Sequence, residues 1–248
     1  MSTLASPVQA AFELGRTPTY SNHVAQSLAG FLHLDPDETY ACGSFERGLV
    51  VAGHAIGSTR LLVIHGYDID VYETVALTLV PRNSLGTAGC AAARIDAAQP
   101  LETAGHIEHA LARARIVAAA ELCGVAQGAL AHAGAYGTQR KQFGSPVGNF
   151  QAMTHRLVDA SMAVDAAALA VEHATVEPVM INAARTKIAA NHAAAFTTAA
   201  LSQIHGGVGF YEDQGAVARF RRALWLAHEL GTSRALRRDV IEPFLRLA

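Results

Sequence analysis

Residues 150–171 of the chain read FQAMTHRLVDASMAVDAAALAV, and their regular apolar period is the main indication of the fold. Its apolar side chains recur at alternating intervals of three and four residues. That period is typical of a helix that buries one face against other helices. The members of the apolar stripe are Phe150, Met153, Leu157, Ala160, Val164, Ala167 and Val171. The pattern predicts a long amphipathic helix within a bundle.

Helical patterns continue on both sides of this stretch. Upstream, apolar residues at spacings of three, four and seven predict a long helix over about 105–137. They are Ile107, Leu111, Ala118, Leu122, Val125 and Ala129. Downstream, Pro178 suits the first turn of a third helix that ends near Ser202, and two more helices are predicted near 213–226 and 232–246. The abundant alanine favours helix, so a bundle of four to five helices is predicted for residues 101–248.

The first hundred residues carry a different pattern. Residues 8–32 have a helical period that Gly15 and Pro18 interrupt. Residues 48–64 and 71–80 are β-branched runs near glycine, which is typical of strands. The sequence therefore predicts a mainly α fold, with a shortened N-terminal helical segment at 1–44, a small β domain at 45–100 and a C-terminal helical bundle at 101–248.

Composition argues against several classes of function. Of the 248 residues 51% are hydrophobic and 16% are charged, which predicts a folded chain rather than a disordered one. A net charge of −2 gives no reason to expect binding to nucleic acid or to a membrane surface. We expect no transmembrane helix and no signal peptide. Cys42, Cys90 and Cys123 are typical of free thiols in the cytoplasm, and the 12 histidines have no spacing that predicts a metal site.

Two motifs lie where predicted helices end. Residues 140–146 read RKQFGSP, and residues 203–210 read QIHGGVGF. The guanidinium of Arg140 suits two-point pairing with phosphate oxygens. Gly206 and Gly207 let backbone N–H groups approach a phosphate closely, and the Gln203 amide can both donate and accept. Either motif alone is equally compatible with a helix end or a packing turn.

In their order and spacing, these motifs resemble the flavin-binding half of the acyl-CoA dehydrogenases. The resemblance is strong over about 105–248 and weak over about 45–90. It implies that FAD is shared across a subunit interface, where this chain clamps the adenine and pyrophosphate end of the flavin. The residues implied for that clamp are Arg140, Gln142, Phe143, Gln203, Gly206 and Gly207.

The residue that the family uses as its catalytic base is missing. In the family a carboxylate removes a proton next to the thioester carbonyl, and it occupies one of two positions. The matching positions here hold Leu230 and Ala114. Glu229 is adjacent to the first, but one step along a helix turns a side chain by about 100°. Glu121 lies about 10 Å along the helix from the second. The sequence therefore predicts no catalytic residue on this chain, and it predicts structural polar contacts for His205 and His228.

This combination resembles the small, non-catalytic subunits of heterotetrameric (α2β2) acyl-CoA dehydrogenases that act in bacterial degradation of sterol side chains. The resemblance implies a full-length partner subunit that supplies the glutamate and binds most of the acyl-CoA substrate. Two alternatives stay open. One is a self-sufficient, homo-oligomeric flavoenzyme that uses Glu121 or Glu229 as its base. The other is a flavin-free scaffold subunit.

Overall fold

The computed structural model describes residues 4–17, 19–46, 49–84, 86–95, 97–211 and 215–245, with the side chains of 44–46 and 242–244 excepted. The helices are α1 (Ala5–Arg16), α2 (His23–Phe31), α3 (Glu108–Gln139), α4 (Gln151–Val176), α5 (Met180–His205), α6 (Ala216–His228) and α7 (Ser233–Leu245). The strands are β1 (Tyr40–Glu46), β2 (Leu49–Ala52), β3 (Arg60–His65), β4 (Asp68–Glu73), β5 (Leu79–Pro81), β6 (Ala91–Arg94), β7 (Glu102–Ala104), β8 (Lys141–Gln142) and β9 (Ser145–Pro146).

The mainly α fold is confirmed, and α3 is its centre. This helix packs against α1, α4, α5 and α6. Every residue of its predicted apolar series is buried. In the apolar series predicted for α4, Ala160, Val164, Ala167 and Val171 are buried, Met153 and Leu157 are half-buried, and Phe150 is 38% exposed. The local period of three and four residues therefore identified the buried face of α3, and that of α4 from Ala160 onward.

The third helix of the bundle is longer than predicted and begins later. Pro178 lies before the first residue of α5, Met180, rather than in its first turn. The helix continues past Ser202 to His205, and Gly206 then takes a left-handed φ of 62°. Such a φ is easy for glycine because it has no Cβ, so the first glycine of the motif marks the helix end. Part of the predicted start of the next helix, residues 213–214, lies outside the described residues.

The N-terminal segment forms two helices, and Gly15 does not interrupt the first. It lies inside α1, where a Cβ would collide with the backbone of Glu121 and Val125 on α3. The glycine is therefore a point of close helix contact, not a helix breaker. Pro18, the other predicted interruption, lies outside the described residues.

Seven of the strands form one sheet in the order β5-β6-β2-β1-β3-β4-β7. Strands β1 and β3 pair in parallel, and the other neighbours pair antiparallel. The run at 71–80 is not one strand, because β4 ends at Glu73 and a 3₁₀ turn at Thr74–Ala76 separates it from β5. The run at 48–64 likewise contains two strands, β2 and β3. The division of the chain at 45 and 101 stays a prediction.

The two faces of the sheet have different partners. Tyr40, Cys42, Leu62, Ile69 and Val71 belong to the main core with α2 and α3. The intervening residues form a second core on the opposite face: Ala41, Val50, Ala52, Leu61, Val63 and Tyr72. This alternation follows the two-residue period of a strand, and it attaches the sheet to the bundle through one face.

Within the described residues, α3 alone is long and apolar enough to cross a membrane. However, 78% of its most apolar 18-residue window is buried inside the protein. A helix buried at the centre of a bundle has the same composition as a membrane span, so this helix is weak support for one.

Candidate functional site

Five of the six predicted clamp residues line one cavity of about 540 Å³, which we call the clamp cavity. They are Arg140, Gln142, Gln203, Gly206 and Gly207. The other lining residues are Tyr136, Val147, Ile204, His205, Val208 and Tyr211. Arg140 and Gln203, which begin the two motifs, are 63 residues apart in the chain, and the structure brings the motifs together where α3 and α5 both end.

Local backbone geometry positions the first motif. Arg140 follows the last residue of α3, and its N–H donates to the Tyr136 carbonyl at 2.9 Å. The chain then reverses in a two-residue hairpin in which Gln142 pairs with Ser145. The turn residues Phe143 and Gly144 have φ values of 49° and 78°. Positive φ at both positions matches the turn that joins two antiparallel strands most tightly.

Phe143 is the predicted clamp residue that the structure places outside the cavity. Phe143 is 96% exposed, and its ring meets the edge of Phe150 with the ring centroids 6.3 Å apart. The tight turn causes this, because its tip projects away from the bundle. A role of Phe143 in flavin binding stays a prediction.

His205 is buried beside the clamp cavity and was predicted only as a structural contact. Its Nδ1 donates to the Leu201 carbonyl at 2.9 Å. The other ring nitrogen, Nε2, has no partner among the described residues. The Tyr136 ring stacks on the imidazole at a centroid distance of 3.8 Å, and His132 meets it edge-on at 4.8 Å. Burial lowers the pKa of His132, and electrostatic repulsion from His205 and Arg219 lowers it further.

These residues fit the phosphate end of a dinucleotide. The cavity offers one guanidinium, two side-chain amides and two glycines around which the space for a Cβ is open. Backbone N–H groups and a guanidinium are the usual partners of phosphate oxygens. Tyr136 and Tyr211 add aromatic surface that the sequence motifs did not identify. Tyr136 lies in the last turn of α3, four residues before Arg140, and Tyr211 directly follows the second motif.

A second cavity, of about 1520 Å³, lies between the sheet and helices α5, α6 and α7. We call it the sheet-side cavity. Its wall is mostly apolar and includes Val51, Phe210, Val217, Phe220, Leu224, Trp225 and Leu230. Polar groups enter from Cys42, His228, Glu229, Thr232 and Arg238, among others. Gln203 and Gly206 line both cavities.

Both positions matching the family's base are filled by buried apolar side chains. Leu230 is buried and has a left-handed φ of 57°. Its carbonyl accepts a hydrogen bond from Arg115 Nε at 3.0 Å, and Arg115 also pairs with Asp239 at 2.7 Å. Ala114 is fully buried on α3. Neither position carries a group that can accept a proton.

Glu121 has a structural partner rather than a place in a cavity. Its side chain is 1% exposed and forms an ion pair with Arg222, which is equally buried. Ser21 Oγ adds a hydrogen bond to the same carboxylate oxygen at 3.4 Å. Glu121 is in the wall of neither cavity. A buried charge needs such a partner, and this pairing accounts for the lone acid in the apolar centre of α3.

Glu229 is placed differently from the sequence expectation. Helix α6 ends at His228, so Glu229 has an extended backbone with φ −63° and ψ 131°. Its side chain is therefore not turned from position 230 by a helical step. The side chain lies in the wall of the sheet-side cavity. Burial raises the pKa of Glu229 to about 7, opposed by the positive charges of Arg222 and Lys187 and reinforced by the charge of Glu121.

The remaining predictions concern His228 and metals. His228 is exposed at the rim of the sheet-side cavity, and its Nδ1 donates to the Leu224 carbonyl at 2.8 Å. The described part of the chain holds no group of three or more histidine, cysteine, aspartate or glutamate side chains that could bind a metal ion.

The sequence matches the family described as "Acyl-CoA dehydrogenase, C-terminal domain" over residues 105–244, which is more than half of the chain. This segment covers α3 to α7. It therefore includes both motifs and the three helices, α5 to α7, that line the sheet-side cavity. The chain belongs to the acyl-CoA dehydrogenase family.

Curated relatives agree with this assignment. The chain is 38% identical over 130 residues to 3-sulfinopropanoyl-CoA desulfinase of Paraburkholderia xenovorans, a match that covers 51% of this chain and 34% of the relative. It is 35% identical over 125 residues to acyl-CoA dehydrogenase IpdE2 of Mycobacterium tuberculosis, covering 50% and 39% respectively. The matched part of the chain thus spans less than half the length of these relatives.

Solved structures extend the similarity to the whole fold. The ChsE4-ChsE5 complex from Mycobacterium tuberculosis contains a chain that superposes with a TM-score of 0.79 at 18% identity, covering 98% of this chain and 80% of that one. A chain of the Tcur3481-Tcur3483 steroid ACAD G363A variant gives a TM-score of 0.82 at 20% identity, with 98% and 81% covered. At these identities the likeness concerns the fold alone.

Proposed function

We propose that this chain is a partner subunit of an acyl-CoA dehydrogenase complex, in which it completes the FAD site of a separate catalytic subunit. The observation that carries the proposal is a contrast within one chain. Five clamp residues meet at one cavity, whereas both positions for the family's base hold the apolar side chains of Leu230 and Ala114. The chain therefore has the means to hold a flavin but lacks the family's base, which the catalytic subunit supplies.

The chemistry of the clamp follows from its residues. Members of this family are FAD flavoproteins, and bound FAD supplies the hydride acceptor of the dehydrogenation. Arg140 would pair with the pyrophosphate, while the backbone at Gly206 and Gly207 approaches it. The Gln203 amide offers both a donor and an acceptor to the sugar hydroxyls. These residues bind and orient the cofactor, and the acyl-CoA substrate is bound mainly by the catalytic subunit.

An exposed apolar surface supports a docked partner. Val158, Met162, Leu169 and Val176 of α4 are 52%, 65%, 65% and 86% exposed. Their spacings of four, seven and seven place them on one face of the helix, which we call the α4 stripe. Apolar residues gathered in this way mark interaction surfaces. The helical bundle of the catalytic subunit is the proposed occupant, since the structurally similar ChsE4-ChsE5 assembly is a complex of two different chains.

The type of complex follows from the same similarities. Two of the structural relatives are named as pairs, and one is named as a steroid enzyme. We extend the proposal to a heterotetramer that acts on a sterol-derived acyl-CoA thioester. Of the alternatives, a self-sufficient enzyme based on Glu121 is disfavoured by the ion pair of that residue with Arg222.

The test is the flavin content of the complex with and without Arg140. The chain is co-expressed with its catalytic partner, and native mass and the ratio of FAD to chains are measured. In Arg140→Ala we expect FAD to bind about 10- to 100-fold more weakly, because a charge-assisted contact is worth about 1.5–3 kcal/mol. Arg234→Ala is the matched control, since Arg234 is an exposed arginine on α7 that lines neither cavity.

Other outcomes would contradict the proposal in distinct ways. Unchanged flavin affinity in Arg140→Ala would assign the chain to the scaffold alternative. A stable homo-oligomer with one FAD per chain, purified without a partner, would support a self-sufficient flavoenzyme.

A further inference from the structure

Two acidic side chains lie in line with the exposed apolar face of α4. Asp165 comes three residues after Met162, and Glu172 comes three residues after Leu169. Both acids are exposed, and neither forms a hydrogen bond or an ion pair with another described residue. Together with the α4 stripe they make up what we call the exposed seam. Its members are Val158, Met162, Asp165, Leu169, Glu172 and Val176.

The exposed seam has the spacing of a coiled coil. Its successive members are separated by four, three, four, three and four residues, which is the repeat that allows one helix to pack along another. The face that α4 buries against α3 and α5, from Ala160 to Ala174, lies on the other side of the helix. One helix therefore presents two faces with a packing period, and no described part of the chain covers the outer one.

The seam carries negative charge without a lysine or arginine of its own. Over its 26 residues α4 holds one arginine and no lysine. That arginine, Arg156, is half-buried, and its guanidinium lies over the ring of Phe196 on α5, 5.6 Å from the ring centroid. His173 follows Glu172 in sequence but points about 100° away from it around the helix. Asp165 and Glu172 therefore have no cation on their own face of α4 to compensate their charge.

We propose that the exposed seam binds a helix of the catalytic subunit that carries lysine or arginine at two positions one heptad apart, facing Asp165 and Glu172. This inference rests on the proposed function, which places the catalytic subunit on the α4 stripe. The apolar members supply the contact area, and the two acids select the partner and fix its register along α4. A carboxylate inside a helix interface needs such a counter-charge, because burying it unpaired is strongly unfavourable.

Charge also distinguishes a second copy of this chain from a different chain. A two-fold pair of copies brings the same surface together with itself, whether the two helices run parallel or antiparallel. A pair joined through the exposed seam would contain four carboxylates, two from each copy, and no lysine or arginine. Like charges that meet across an interface suppress that pairing. The two acids therefore favour a complex of two different chains, which the apolar side chains of the α4 stripe cannot select by themselves.

The first experiment reverses both charges in the complex. The chain is co-expressed with the catalytic subunit, and dissociation on dilution is followed by native mass at low and high salt. In the lysine variant, Asp165→Lys with Glu172→Lys, we expect the complex to weaken roughly 10- to 100-fold, because like charges then meet across the interface. Salt is expected to weaken the wild-type complex but not this variant. Asp159→Lys is the matched control, since Asp159 is an exposed acid of the same helix outside the seam.

The second experiment needs no partner and uses the whole chain alone. In the leucine variant, Asp165→Leu with Glu172→Leu, the seam becomes apolar throughout. Self-association, measured by sedimentation, is expected to strengthen about 10-fold or more over wild type, because the seam then matches the apolar core of a coiled coil. Adding Met162→Glu is expected to reverse the gain and so identifies the seam as the surface involved. Denaturant unfolding of each variant checks that the fold is intact, as expected for exposed positions.

Three results would overturn the inference: no complex with the catalytic subunit, a lysine variant that binds it as tightly as wild type, or wild-type copies that associate as strongly as the leucine variant. If Met162→Glu breaks the complex and the lysine variant does not, the docking surface of the proposed function stands and the charge selection is wrong. If the lysine variant dissociates but Arg140→Ala keeps its flavin, the clamp is wrong and the seam stands.

Discussion

Lys187 is the most deeply buried cationic side chain in the described part of the bundle, and its burial makes the stability of the fold depend on pH. Its side chain is fully buried on α5, where Nζ donates to Asn191 at 2.9 Å and to the Leu226 carbonyl at 2.8 Å. Burial lowers the pKa of Lys187 to about 7, although the charge of Glu229 opposes this. A neutral amine retains two N–H donors, so both hydrogen bonds survive deprotonation.

This burial makes folding stability depend on pH. Between pH 7 and 8.5 the unfolded lysine is protonated whereas the folded one is largely neutral. The unfolded state binds more protons, so the free energy of unfolding rises with pH, by about 1–2 kcal/mol over this window. Denaturant unfolding at several pH values measures the rise. Lys187→Met is expected to flatten it, and Lys141→Met, at an exposed lysine, is expected to leave it in place.

The measurement is restricted to pH values above 7 because the titration of Glu229 lowers the free energy of unfolding as the pH rises toward 7. Its folded pKa is raised to about 7, so its contribution to stability is lost as pH rises from about 4.5 to 7. An equal rise in Lys187→Met and wild type would show that the lysine is not the titrating group.

The clamp residues were predicted from the family resemblance, with support from the chemistry of guanidinium, amide and glycine. The structure brings five of the six to one cavity, and their role in flavin binding stays a prediction. Glu229 was misplaced because its side chain was treated as if it followed a helical step. Helix α6 ends at His228, the backbone of Glu229 is extended, and Leu230 takes a left-handed φ of 57°. Sequence rules expect that conformation from glycine, so no local signal marked Leu230.

At the scale of elements, the contact between α1 and α3 depends on glycine from both helices. A Cβ on Gly124 of α3 would collide with the Phe12 carbonyl of α1, and Gly15 meets the backbone of α3 equally closely. Without side chains between them, the two helices contact each other through their backbones. Glycine therefore permits close packing of α1 and α3, whereas the sequence alone indicated that Gly15 interrupts a helix.

This contact gives a clean stability test within one helix. Gly124→Ala is expected to destabilise the fold by about 1–3 kcal/mol, because the added methyl group overpacks a backbone contact. Gly134→Ala is the matched control in α3, since nothing lies within 4 Å of its Cβ position. There the better helix propensity of alanine is expected to add up to about 1 kcal/mol. Denaturant unfolding of both variants measures the difference, and equal effects would contradict the close contact.

The elements that could be predicted from sequence are those whose interacting residues lie close together in the chain. The buried faces of α3 and α4 were predicted because their period is local in sequence. The order of the strands in the sheet was not predicted, because β1 pairs with β3 although β2 lies between them in the sequence. Such pairing depends on residues some 20 positions apart, and no local pattern records it.

For the whole molecule, the exposed α4 stripe predicts the surface that the partner subunit contacts. Met162→Glu or Leu169→Glu places a charge in the proposed interface, and we expect the complex to weaken by about 2 kcal/mol or more. The isolated chain should unfold as wild type does, because both side chains are exposed. Native mass of the co-expressed chains measures the effect. Val75→Glu, at an 89% exposed residue next to the sheet, is the control.

A complex that stays intact in both α4 variants would place the partner on another surface. The exposed Phe143, Phe210 and Tyr211 near the clamp cavity would then be the next surface to vary.

The last turn of α5 separates the clamp cavity from the sheet-side cavity, and Gln203 and Gly206 face both. If a cofactor in the clamp cavity holds this turn in one position, it changes the affinity of the sheet-side cavity for its own ligand, and that ligand changes the affinity for the cofactor by the same factor. Coupling of the two cavities would then depend on a single helix end of this chain.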